Sequence, residues 1–162
     1  MSLASIVITC AKGTPDLLAQ ELQRLGYETL ATHEAAVETN GTMLDCMKFN
    51  LHLRTAQRVL LLLDTFHAND IHNVYDGAGL VPWENYIHSD GYFSVKAVVE
   101  NTGQPHDPRF VALKCKDAVV DRFQKLFGHR PNSGPDLDQS VLFFRWVDTT
   151  CQVYLDTSGE SL

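Results

Sequence analysis

The chain has 162 residues, enough for one good core or two small ones, and its 44% apolar, 20% charged composition excludes a disordered tail. A formal net charge of −7 argues against indiscriminate nucleic-acid binding. No apolar run approaches the ~20 residues that cross a bilayer, and residues 1–9 lack the basic start and cleavage site of a secretory signal.

Ala4 to Cys10 is β-branched and apolar, a strand. Thr14 is placed to cap a helix that opens on Pro15 and Asp16, carries Leu17, Leu18, Leu22 and Leu25 as its apolar stripe, and closes at Gly26. Tyr27–Thr32 and Ala35–Glu38 predict a hairpin, Asn40-Gly41 a turn, and Thr42 the cap of a second helix to about Leu53. Arg58–Phe66 completes the group as a strand. The order strand, helix, strand, strand, helix, strand is the ferredoxin-like βαββαβ pattern, filling residues 1–66. A second α/β region follows over 67–162. It predicts a helix over 67–80, a short turn at Pro82-Trp83 and a strand over 92–99. A loop over 101–108 leads to a long helix from Arg109 to Phe127, stopped by Gly128 and Pro131. Residues 130–138 read as a loop, and 141–147 with 151–155 as a closing strand pair. The fold class is therefore α/β (α+β).

The charge is unevenly placed. Between Arg109 and Arg130 stand six Lys/Arg and two Asp, a local +4, which leaves −11 elsewhere. At 100° per residue, Phe110, Leu113, Val119, Val120, Phe123, Leu126 and Phe127 share one broad face, predicted to pack on a sheet as core. Lys114, Arg122 and Lys125 fall opposite; Lys116 lands inside the apolar arc, where it must snorkel or find a partner. Two readings stand side by side: an ordinary solvated helix face, or a phosphate-binding surface with Arg109 and Arg130 at its ends. Trp83, Tyr86 and Trp146 read as packing residues. Cys10, Cys46, Cys115 and Cys151 lie far apart with no CxxC pair, as small buried thiols do. His67, Asp70, His72 and Asp76 lack the i, i+4 histidine pair of a helical metal site, so no metal is expected. There is no Gly-rich phosphate loop, no GxSxG elbow and no carboxylate pair with an acid/base role, hence no catalytic residue to name.

Several stretches together resemble a known family: AKGTPDLLAQELQRLG (11–26), NLHLRTAQRVLLLL (50–63), ALKCKDAVVDRF (112–123), the Arg-Pro of 130–131 and YLDTSGESL (154–162). In order and spacing they look like the N-terminal region of bacterial THUMP-containing RNA methyltransferases, above all those that methylate guanine N2 in large-subunit ribosomal RNA. The resemblance implies a ferredoxin-like domain followed by a THUMP domain that binds structured RNA, here 23S ribosomal RNA. That RNA would be delivered to an S-adenosylmethionine-dependent methyltransferase domain. Lys114 and Lys116 match the family's basic pair, and Arg130 its Arg-Pro loop; Arg109, Arg122 and Lys125 are added from the charge distribution. Pro15 and Asp16 stand where the family carries glutamates. The cofactor-binding and Asn-Pro-Pro-Tyr motifs are absent up to Leu162, so the expectation is a cytoplasmic RNA-binding piece divided from its catalytic domain. Its partners would be RNA and that domain, with neither membrane nor DNA. The alternatives are a THUMP module of a transfer-RNA-modifying enzyme, for thiolation or another base modification, and a stand-alone protein-interaction domain.

Overall fold

A computed structural model describes residues 3–136 and 140–158. Its described residues form two compact units, one running to Leu62 and including the segment from Asp156, the other Leu63–Leu155.

In the first unit β1 (Ala4–Cys10), α1 (Pro15–Arg24), β2 (Ala31–His33), β3 (Ala36–Gly41), α2 (Met43–His52) and β4 (from Ala56) follow in the expected order. The strands lie β2-β3-β1-β4, with β1 antiparallel to both β3 and β4. Alternation in β1 sends Ile6, Ile8 and Cys10 into the core, where Leu18 and Leu22 of α1 and Phe49 of α2 meet them. Thr42 and Asp45 form a reciprocal capping box at the start of α2. The Asp45 carboxylate also accepts the Tyr27 hydroxyl, and Tyr27 sits edge-on to Phe49 at 4.6 Å.

Three details of this unit differ from the sequence pattern. The Thr14 hydroxyl does not cap α1 but donates to the Ala11 carbonyl, and Leu17 lies largely exposed on α1. Asn40 and Gly41 are not a turn; they are paired within β3, opposite Ser5 and Ala4. Glycine is needed at 41 for space, because a Cβ there would meet Asp45 and the Ile6 side chain at 2.8 Å.

The Asp-Thr-Ser stretch at 156–158 clasps β4 within this unit. Thr157 N donates to Val59 O at 2.9 Å, Val59 N donates to Ser158 Oγ at 2.6 Å, and Arg58 pairs with Asp156 at 3.4 Å. The Asn50 amide reaches the Thr157 carbonyl at 3.1 Å.

The second unit holds the end of β4 (to His67), α3 (Ile71–Leu80), a 3₁₀ turn at Trp83–Asn85, β5 (Tyr92–Glu100), α4 (Pro108–Phe127), β6 (Asn132–Ser133), β7 (Ser140–Val147) and β8 (from Thr150). Its strands run β8-β7-β5-β6, and α4 is the crossover that lets β5 pair in parallel with β7, Phe93 opposite Ser140 through Glu100 opposite Val147. The predicted loop at 130–138 therefore contains a short strand, Asn132–Ser133, parallel to the start of β5. The core is Trp83, Phe93, Phe123, Phe144 and Trp146, all essentially without exposed surface. Both indoles are satisfied, Trp83 on the Ala78 carbonyl at 2.7 Å and Trp146 on that of Ala68 at 3.1 Å. Asp70 caps α3 by accepting from Asn73 N, and Gly77 lets that helix lie against the Phe66 ring, which a Cβ would strike at 2.3 Å.

Candidate nucleic-acid interface

Helix α4 starts at Pro108 behind Asp107, whose carboxylate accepts from Arg109 N at 2.9 Å. It ends at Gly128, left-handed at φ 74°, whose N–H returns to Gln124 O. Its buried residues are Val111, Cys115, Ala118, Val119, Val120 and Phe123. The packed face is thus rotated by roughly a quarter turn from the one that the large apolar residues suggested. Phe110 and Phe127 are 44% and 48% exposed, and Leu113 and Leu126 are similarly open, so none of the four is core. The reason is that α4 is covered on two sides. The sheet lies beneath it and α3 beside it, and small residues, Cys115 and Ala118, permit the close approach.

The six predicted cations do not share a face. Arg122 points inward: Nε and Nη2 each donate to Glu84 at 2.8 Å, and Nη1 donates to the Gly79 carbonyl at 2.9 Å. This bidentate fork pins α4 to the 3₁₀ turn and to α3. The Glu84 carboxyl is accordingly held below its usual range by the Arg122 hydrogen bonds. On the same flank the Tyr75 hydroxyl donates to Asp121, which pushes the phenol up to about 12. Lys125 is exposed beside these residues, lining a cavity of about 330 Å³ between α3 and α4 with Tyr75, Gly79 and Leu126.

Lys114 lies over the Phe110 ring, 5.7 Å from its centroid, on the outward ridge of α4. Asp117 and Asp121 recur on that ridge at helical spacing, so its charge is mixed. Arg109 is almost wholly exposed and pairs with Asp107, Nη2 to Oδ2 3.2 Å. Lys116 is half-buried and Arg130 exposed beyond Gly128; among the described residues neither has an ion-pair partner. Lys116 therefore takes the snorkelling course. Arg109, Leu113, Lys116, Val120 and Phe127 recur at helical spacing down the flank of α4 turned away from α3.

The thiols offer no nucleophile. All four cysteines are free and buried, with burial pushing Cys46 up to about 11, Cys151 up to about 12, and Cys115 well above its ordinary value. Among the described residues no group of three His, Cys, Asp or Glu side chains is placed to hold a metal ion, and no helix is long and apolar enough to cross a membrane.

The fold and this helix define a class: a ferredoxin-like unit followed by a second α/β unit that presents a cation-bearing crossover helix. Residues 5–60 match the RlmL ferredoxin-like domain and residues 68–156 the THUMP domain. The chain belongs to the THUMP domain family. It is 37% identical over 161 residues to the ribosomal RNA large subunit methyltransferase K/L of Psychromonas ingrahamii, covering 99% of this chain and 21% of that protein. The corresponding protein of Syntrophotalea carbinolica is 36% identical over 157 residues, covering 95% and 22%. The chain thus spans about a fifth of the length of the curated relatives it matches. Among solved structures, a predicted N6-adenine-specific DNA methylase from Listeria monocytogenes superposes with a TM-score of 0.83 at 24% identity, over 99% of this chain and 42% of that one. A 4-thiouridine synthetase–RNA complex with bound ATP does so at 0.57 and 13% identity, over 96% and 41%. At such identities these two likenesses speak for the fold alone.

Proposed function

We propose that this chain is an RNA-binding module that positions structured RNA, 23S ribosomal RNA in particular, for a guanine-N2 methyltransferase domain using S-adenosylmethionine. Residues 67–162, as drawn from sequence, act as the RNA-binding domain and 1–66 as its ferredoxin-like companion. The observation that carries the reading is the uncommitted charge on α4 and just past its end. Lys116 and Arg130 have no carboxylate partner among the described residues, and Lys114 has only a ring beneath it, in a chain that is otherwise acidic. Such cations serve phosphates, while Arg122, occupied by Glu84, serves the fold. Arg109 and Lys125 are outlying contacts. The relatives' names, ribosomal RNA large subunit methyltransferase K/L, support large-subunit ribosomal RNA and methyl transfer in this reading, and guanine N2 comes from the resemblance of the sequence motifs alone.

The module's contribution would be geometric. Phosphate contacts fix register and orientation without reading bases, and RNA shape supplies selectivity. The test is a fluorescence-anisotropy titration against a ribosomal RNA hairpin and a DNA duplex of equal charge, at two salt concentrations. The expected outcome is binding to the RNA that exceeds binding to the DNA and weakens with salt. Absence of binding at low salt, where electrostatic association is strongest, contradicts the reading and favours a protein partner.

A further inference from the structure

At the end of α4 two rings stand open to solvent. Phe127 rests on the buried Phe123, with ring centroids 5.8 Å apart and planes inclined by 35°, so it is supported from below and free above. His129 follows across the left-handed Gly128, its ring 6.4 Å from that of Phe127. Its Nδ1 lies 3.2 Å from the Phe127 carbonyl oxygen and its Nε2 3.6 Å from Asp90 Oδ1. The second ring is thereby oriented by contacts of its own.

The surrounding charge says what such a surface suits. The C-terminal end of a helix carries the negative pole of its dipole, and a phosphate placed there would be repelled. Asp90 adds a carboxylate nearby. The π-face of a nucleobase meets no such penalty. One cation follows the rings closely in the chain and a second lies farther up the helix, about 16 Å along its axis, where it suits a phosphate several nucleotides away. Arg130 lies three residues past Phe127, and Lys116 on the same flank of α4, both without an ion-pair partner among the described residues. In a continuous A-form duplex the base faces are stacked on one another and closed to such a platform; bulges, loops and ends leave them open.

We propose that Phe127 and His129 form a stacking platform for an unpaired nucleobase. The RNA taken by this flank then carries a bulged, looped or terminal unpaired nucleotide rather than an uninterrupted duplex. The proposal rests on the RNA-binding reading above and deepens it: cations hold the backbone, and the ring pair selects a flipped-out base by its face rather than its edge.

The test compares two RNA hairpins of equal length, one with a single bulged 2-aminopurine and one with that residue base-paired. Each is titrated at low salt with the wild-type chain and with Phe127→Ala and Phe127→Trp. Phe127 is half exposed, so both variants are expected to fold, and far-UV circular dichroism checks this. The expected result is quenching of 2-aminopurine fluorescence in the bulged RNA and a preference for it of about tenfold, the scale of one base–aromatic stack. Phe127→Ala loses both while still binding the paired hairpin; Phe127→Trp keeps both. Equal affinity of the wild type for the two hairpins overturns the platform and leaves the RNA-binding reading standing, as does a bulge preference that survives Phe127→Ala. Failure to bind either hairpin overturns the two together.

Discussion

The two flanks of α4 carry the same residue types and use them in opposite ways. Toward α3, Arg122 is spent on Glu84 and the Gly79 carbonyl, and Asp121 accepts the Tyr75 hydroxyl, so these two charged groups have partners on neighbouring elements, while Lys125 stays exposed beside them. On the flank turned away from α3, Arg109 is paired with its neighbour Asp107, while Lys116 there and Arg130 just past the helix end have no ion-pair partner among the described residues. A local charge of +4 in the sequence thus overstates the cations at hand. What distinguishes a structural cation from a binding one is its partner, and the partner of Arg122 stands 38 positions away in the chain.

Three changes would break or sharpen that contrast. The largest effect is expected on RNA affinity from Lys116→Glu combined with Arg130→Glu: about a hundredfold loss, or ~2.7 kcal/mol, with the unfolding transition essentially unchanged. Anisotropy and urea titrations on the same preparations check the two halves of that statement.

Arg122→Met should do the reverse. Removing one member of a half-buried, bidentate pair leaves Glu84 without its donors and costs about 2 kcal/mol of stability, with RNA affinity per folded molecule nearly unchanged. The pair also has a pH signature. Because the Glu84 carboxyl is lowered from its ordinary value of 4.5 by Arg122, the pair's contribution is complete above that value and is lost as the pH falls below it. The stability advantage of wild type over Arg122→Met should therefore shrink in acid, as read from urea midpoints at pH 7 and pH 4. An advantage that stayed constant across that range would remove the ion pair from the explanation.

The smallest effect belongs to Tyr75→Phe. It deletes one hydroxyl between α3 and α4, is expected to cost about 1 kcal/mol, and should leave RNA binding untouched. A loss of RNA affinity without a loss of stability would move the interface to the α3 side of the helix.

Much of the architecture was legible in the sequence, because local signals agreed with the long-range fold. Thr42 and Gly128 begin and end helices by chemistry visible within a few residues, and alternation in β1 marks its buried face. The orientation of α4 was not legible. A helical wheel weights large apolar residues, and it placed Phe110, Leu113, Leu126 and Phe127 in the core. A helix packed against both a sheet and another helix buries the small residues Cys115 and Ala118 instead. Asn40-Gly41 misled for a related reason, since its glycine answers to the crowding of Ile6 and Asp45 and not to a turn. At the site, the basic run itself could be read from sequence. The commitment of Arg122 to Glu84 and the exposure of Phe127 could not, because both depend on packing by distant elements.

The most direct measurement is the salt dependence of RNA-hairpin binding by wild type, Lys116→Glu/Arg130→Glu and Arg122→Met, each shown to be folded under the assay conditions. The account predicts that the double charge reversal lowers the slope of log affinity against log salt by about two, one for each phosphate no longer neutralised, while Arg122→Met keeps the wild-type slope. Equal slopes for wild type and the double variant, with the slope lowered in Arg122→Met, would place the RNA on the other flank and contradict the account.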